Sequence, residues 1–248
     1  MKKIHKNLII FFISLIVFLN LSAIPVKAEN TDGGFNINSA NYDVVFMENG
    51  NVKVIEHWYL DYFDAGNTFN ERFISKYSKS LAKRTTIEDV KVYVGENICD
   101  KTENNEYQED YTYNIKENEK GYRISVFMNS KENDKRQITL VYTLKNLIKS
   151  VDNEYYYINF DATPYSILKE IDVLTLTFRL HNDERIEIEE EPIIFPVFAA
   201  PSRVGNNIQI KVRELEETKL TTILKIKNKC FNIPPEAVIS KKDVPFKP

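Results

Sequence analysis

From Tyr42 onward, apolar and polar residues of this chain alternate with a period of two. Successive side chains of an extended chain point to opposite sides, so this is the spacing of strands with one face in a core and one in water. The first run is YDVVFM, residues 42–47. It is followed by ENGN, which carries Asn49-Gly50, and then by VKVIEHWYL, Val52 to Leu60. Asn-Gly between two alternating runs predicts a hairpin whose two turn residues both accept positive φ. Further runs are VKVYV (90–94), DYTYNIK (110–116), YRISVFM (122–128) and QITLVYTLK (137–145), then EYYYINF, VLTLTFRL, NIQIKV and LTTILKIK. In VLTLTFRL, Leu174, Leu176, Phe178 and Leu180 make one face and Val173, Thr175, Thr177 and Arg179 the other. Helix signals are few. Thr163 is placed to cap a turn that begins at Pro164, and KYSKSLAKR reads as a loop or a short helix. Many short strands and little helix predict an all-β, antiparallel β-sandwich, immunoglobulin-like in general architecture, with one or two short helical turns.

The first 28 residues do not share the pattern. MKKIHKN is basic, LIIFFISLIVFLNLSAI is apolar, and PVKAEN puts Val26 and Ala28 where a signal peptidase reads small residues. This is the layout of a secretory signal peptide, with Glu29 as the expected first residue after cleavage. An uncleaved membrane anchor is the alternative, since the apolar run approaches spanning length. In either case the lysines stay inside and the rest is exported, to the outside or the cell envelope. The expected organisation is a signal peptide (1–28), a linker (29–34), the sandwich (35–230) and a Pro-rich tail (231–248) that runs extended and exposed and is dispensable for folding. Within the sandwich, EIEEEPIIFPVFAAPSRV reads as an irregular connection.

Composition narrows the functions. With 43% hydrophobic and 12% aromatic residues the chain can bury a sizeable core. Loss of the leader removes Lys2, Lys3, Lys6 and Lys27 and no acid, leaving 29 basic and 36 acidic residues, net −7. Such a surface repels phosphate backbones, so nucleic acid is not expected as a partner.

Candidate chemistry is sparse. There is no GxSxG, HExxH, phosphate-binding glycine loop, CxxC or EF-hand loop, and no catalytic residue, metal or cofactor is expected. Carboxylate pairs for glycoside hydrolysis are too abundant for any one to stand out. VDNEYYY gathers Asp152, Asn153 and Glu154, a possible binding or cation site, although a solvated turn before a strand explains the same residues. Tyr155, Tyr156 and Tyr157 alternate in and out of their strand and cannot form one stacking platform. Cys99 and Cys230 are candidates for a disulfide in an exported protein, worth about 4–5 kcal/mol in the chain-entropy model, or are two unrelated thiols. Neither has a ligand at metal spacing.

One residue breaks the alternation. Val52, Val54, Glu56, Trp58 and Leu60 share a face, while Lys53, Ile55, His57 and Tyr59 share the other. The face with Trp58 belongs to the core, so Glu56 points inward and His57 outward. An ionised carboxylate there needs a partner. Arg72, in NERFISKY with Ile74 on the same face, is the nearest cation on an alternating run. A bidentate, structural Glu56–Arg72 ion pair is expected.

FNINSANYDVVFMENGNVKVIEHWYLDY resembles the start of the N-terminal domain of unknown function in YciQ-like predicted bacterial membrane proteins. That domain opens with a hairpin whose second strand carries V-x-E, here Val54-Ile55-Glu56. The resemblance continues through ERFI, with Arg72 on a recurrent arginine, TIEDVKVYV, ITLVYTLKNLI and VDNEYYYINF, and spans about residues 35 to 180. It implies an exported β-sandwich without assigned activity. Those proteins continue into transmembrane helices, whereas this chain reaches Pro248 with no second apolar run, as expected of a stand-alone or truncated form. The function expected is a non-enzymatic module that binds an envelope protein, a wall polymer or a membrane component. An envelope hydrolase using carboxylates and a carbohydrate-binding module are the alternatives.

Overall fold

The computed structural model describes residues 34–76, 84–103, 109–163, 170–195, 199–215, 220–227, 231–233, 235–240 and 244. The leader, the turn expected after Thr163 and Cys230 lie outside them. The strands are β1 (Phe35–Phe46), β2 (Val52–Tyr62), β3 (Gly66–Ser75), β4 (Thr86–Val94), β5 (Asn97–Ile98), β6 (Asp100–Lys101), β7 (Thr112–Glu117), β8 (Gly121–Ser130) and β9 (Lys135–Lys145). They continue as β10 (Lys149–Val151), β11 (Tyr155–Asp161), β12 (Ile171–Leu180), β13 (Ile188–Phe195), β14 (Pro201–Val204), β15 (Asn207–Leu215), β16 (Thr221–Ile226) and β17 (Val238–Ile239), with one 3-10 turn at Pro235–Ala237. The fold is all-β and sandwich-like, as the alternation predicts.

One large sheet carries the architecture. It runs β14-β15-β12-β1-β2-β9-β4-β5, and two smaller sheets, β13-β16-β11-β10-β17 and β3-β8-β7-β6, complete the molecule. The register stacks the inward phases of neighbouring strands into continuous apolar rows: Tyr42 lies opposite Glu56 and Leu176, and Val44 opposite Val54 and Phe178. Both smaller sheets cover this one face. Phe69 of β3 sets its ring 5.3 Å from Trp58 and 6.2 Å from Phe35. Phe160 of β11 lies 6.2 Å from Tyr42 and 6.0 Å from Phe178. Among the described residues, no strand lies over the opposite face of the large sheet.

Three pairings depart from an antiparallel sandwich. β1 with β12, β6 with β7, and β10 with β17 are parallel. Alternation specifies which side of a strand is apolar, and that is equally met by a neighbour running either way. The first hairpin forms where Asn49-Gly50 predicts it, with a different turn. Met47 N–H donates to the Asn51 carbonyl and Gly50 N–H to the Met47 carbonyl, and of the turn residues only Gly50 has positive φ, at 78°. The extra residue makes this a three-residue loop with one left-handed glycine. Two consecutive left-handed residues occur instead in the turn after β10, where Asp152 and Asn153 have φ of 48° and 59°.

Two expected boundaries shift. The acid- and proline-rich connection of residues 187–204 contains β13 and β14, each an outermost strand of its sheet. Pro192 and Pro201 are tolerated there because an outer strand needs fewer ladder donors. The tail is not free of the sandwich. Phe231 is 6% exposed and packs edge-on against Tyr156 at 4.9 Å and Phe46 at 6.2 Å. Asn232 N–H donates to the Glu48 carbonyl, and β17 extends the five-stranded sheet. Low average hydropathy concealed one aromatic anchor and one short strand. Likewise Gly34, placed in the linker, accepts from the amides of Phe63 and Asp64.

The tail is therefore part of the folding unit. Ending the chain at residue 230 should lower the melting temperature by well over a few degrees, and Phe231→Ala alone should cost about 3 kcal/mol. A truncated protein that melts like the full chain would refute this.

Candidate functional site

Glu56 and Arg72 meet in the interior. Arg72 Nε donates to Glu56 Oε1 at 2.7 Å, and the side chains are 0% and 1% exposed. The pair is not bidentate as expected. Trp58, two residues along the same face, donates its Nε1–H to Glu56 Oε2 at 2.9 Å and takes the second carboxylate oxygen. Arg72 Nη2 instead donates to the Tyr142 hydroxyl at 2.8 Å, and that hydroxyl donates to Glu56 Oε1. Arg72 Nη1 donates to the Phe73 carbonyl at 2.9 Å and reaches the Asp161 carbonyl at 3.5 Å. The guanidinium also lies over the rings of Tyr42 and Tyr142, at 5.7 and 6.0 Å.

These contacts join all three sheets. Glu56, Trp58 and Tyr142 belong to the large sheet, Arg72 to the four-stranded one and Asp161 to the five-stranded one. Asp161 is itself fastened on both sides: Ser75 Oγ donates to Oδ2 at 3.1 Å and Thr221 Oγ1 to Oδ1 at 2.8 Å. Burial works against the charge of Arg72, but the Glu56 carboxylate and the tyrosine hydroxyls outweigh it and hold its pKa well above the ordinary value. Burial, aided by Glu56, pushes the Tyr142 hydroxyl well above its ordinary 10.0, so it stays a donor. No solute can reach a pair this deeply enclosed, which makes it a fastening of the fold. Tyr142 and Asp161 were not anticipated. The tyrosine was legible as a polar-tipped ring on the inward phase of QITLVYTLK, whereas nothing local marks Asp161.

The other expected site residues take no part in this cluster. Cys99 is a buried, free thiol, and Cys230, its expected partner, lies outside the described residues. Burial pushes its pKa up to about 11, which makes it inert. Asp152 and Glu154 occupy the tight turn after β10, where Glu154 N–H donates to the Val151 carbonyl. Among the described residues no group of three His, Cys, Asp or Glu side chains is placed to hold a metal. A cavity of about 200 Å³ beside that turn is lined by Ser150, Asn153, Glu154, Tyr155, Tyr156 and Lys227. A second, of about 270 Å³, lies between the outer strands β13 and β14. Neither contains Glu56.

What remains accessible is the uncovered face of the large sheet. The register sets His57 beside Thr139 and Tyr93 on one side and Asn41, Thr175 and Lys211 on the other, a row of polar side chains across six strands. Six strands at the usual spacing make a platform about 24 Å wide. His57 Nδ1 is 2.9 Å from Thr139 Oγ1. The neighbouring rows carry Tyr59 with Gln137 and Arg213 on one side, and Lys91, Asp43, Thr177 and Gln209 on the other. Asp43 is held by Arg179 through three hydrogen bonds of 2.9 to 3.1 Å. The hydrogen bond to Asp43 is the main reason that the Arg179 pKa is raised.

No family model matches the chain, and no curated protein matches it in sequence. Several solved structures superpose on the chain at low identity. A candidate nutrient binding protein from Legionella pneumophila superposes with a TM-score of 0.47 and 9% identity, over 79% of this chain and 68% of that one. Native leukotriene A4 hydrolase from Saccharomyces cerevisiae gives 0.47 and 10%, over 81% of this chain and 32% of the hydrolase. An M1 zinc metallopeptidase from Deinococcus radiodurans gives 0.39 and 4%, over 77% and 42%. This chain thus spans less than half of either enzyme.

Glu56→Ala should destabilise the protein by about 3–5 kcal/mol, because it leaves Arg72 charged, buried and unpaired. Removing both side chains should recover part of that loss. Denaturant unfolding of the single and double variants measures the coupling, and strict additivity would argue against an energetic pair.

Stability should also fall at high pH. Burial raises the hydroxyl of Tyr142 and brings that of Tyr157 up to about 12, so each holds its proton more tightly folded than unfolded. Both contributions are fully present below about pH 10; that of Tyr157 is lost as pH rises toward about 12, and that of Tyr142 is lost in the same direction. A urea midpoint that stays level across that interval would contradict both assignments.

Proposed function

We propose that this is an exported, non-enzymatic β-sandwich module that binds a component of the cell envelope on the uncovered face of its large sheet. The observation that carries the reading is the contrast between the two faces of one sheet. The inner face is sealed by two further sheets. The outer face presents Asn41, His57, Thr139, Thr175 and Gln209 over five strands, with exposed Tyr59 and lysines among them. A broad, flat, polar surface suits an extended partner better than a small substrate, which is taken up in a concave pocket where carboxylates converge. Export is supported by the leader pattern of residues 1–28. The resemblance to the exported domain of YciQ-like proteins favours the same location, and we extend that resemblance to Glu56 and Arg72 as the fold-defining pair of such domains.

The mature protein should begin at Glu29, and intact-mass measurement of extracytoplasmic material would show whether the apolar leader is retained instead. Thr139→Glu places an acid in the middle of the open face. It should abolish retention of the protein in the envelope fraction while leaving the melting temperature within a few degrees. Retention of this variant at the level of the unmodified protein would sink the assignment of the face.

A further inference from the structure

We propose that the occupant of the open face is an anionic polysaccharide chain, laid on Tyr59 and Tyr93 and held by Lys53, Lys91, Lys211 and Arg213; this rests on the reading of that face as the binding surface. Charge is the first reason. The outward-pointing acids are neutralised in place, Asp43 by Arg179 and Glu88 by Lys145, whose nitrogen is 2.6 Å from the carboxylate. The four cations just named are exposed and make no ion pair among the described residues. The remaining exposed acids near the face, Asp89, Asp172 and Glu214, sit at its margins, two of them at left-handed backbone positions. A cationic platform on a protein whose sequence beyond the leader carries net −7 gives an anionic partner a preferred side to approach.

Shape and side-chain chemistry select among anions. Tyr59 is 38% exposed, and Tyr93 stands two strands and one row away on the same face. At ordinary strand spacing their rings are about 12 Å apart, which suits stacking on alternate sugars of one chain. Between them lie Gln137, Thr139 and His57, which offer donors and acceptors at close spacing. Sugar hydroxyls need that mixture. A lipid surface needs protruding apolar side chains, and the outward aliphatics of the central strands, Ile55 and Val141, are only partly exposed. A neutral glycan would leave the four cations without a role.

The test is affinity of the exported chain for immobilised polygalacturonate, with neutral dextran and phosphatidylglycerol vesicles in parallel. Polygalacturonate should bind and dextran should not. Lys53→Glu with Lys211→Glu should weaken binding at least tenfold, and Tyr59→Ala at least threefold, with melting temperatures unchanged. Lys116→Glu with Lys120→Glu, the same change of charge elsewhere, should have little effect. Equal losses in the two charge-reversed variants would reduce the effect to diffuse attraction and overturn the proposal. So would equal binding to dextran, absence of binding to polygalacturonate, or binding to the vesicles alone. If polygalacturonate fails while envelope retention still depends on Thr139, only the polysaccharide assignment falls. If retention is indifferent to Thr139, the binding-face reading itself falls.

Discussion

Placing a carboxylate at the centre of an apolar sheet face leaves a fold few ways to remain stable. Glu56 has Tyr42 and Leu140 as its neighbours across the strands, and neither carries a positive charge. The cation has to come from another layer, and Arg72 brings the four-stranded sheet with it. Once there, the guanidinium has donors to spare. Tyr142 and the backbone at Phe73 and Asp161 accept them, and so the five-stranded sheet is tied to the same point. A single polar requirement on β2 therefore fixes how three sheets meet. Hydrophobic burial drives their association, but it is non-directional and would tolerate other relative placements. The ionic knot does not.

That requirement also divides the molecule by function. Everything chemically reactive on the inner side is enclosed: Glu56, Arg72 and Tyr142 are fully buried, and Cys99 is a small buried thiol. On the proposed reading, interaction falls to the uncovered face, whose central residues are uncharged hydrogen-bonding groups and whose unpaired central charges are cationic. The two faces of the same strands thus do different work, alternating residue by residue along β2, β9 and β12.

The alternation explains how much could be read in advance. The period of two along VKVIEHWYL and VLTLTFRL marked the strands and their inward phases, and the phase alone turned Glu56 inward and His57 outward. A buried acid implies a cation, and Arg72 on a nearby alternating run was the available one. The geometry of the pair escaped, because Trp58 competes for the second carboxylate oxygen through an indole whose reach depends on its rotamer. The tail escaped because burial of Phe231 depends on a cleft between Phe46 and Tyr156, residues 110 positions apart in the chain.

By itself, then, the sequence determined the strand class, the side of each strand that meets the core, and the need for a charged partner at Glu56. Those are local properties, set by side-chain alternation and by the cost of burying a charge. Tertiary structure decided which strands are neighbours, including the parallel pairing of β1 with β12, and which sheets cover which face. It also decided that Lys53, Lys91, Lys211 and Arg213, taken from three different strands, would share one surface. Pairing between strands distant in sequence depends on the complementarity of whole faces, and a periodic pattern is the same whichever neighbour satisfies it.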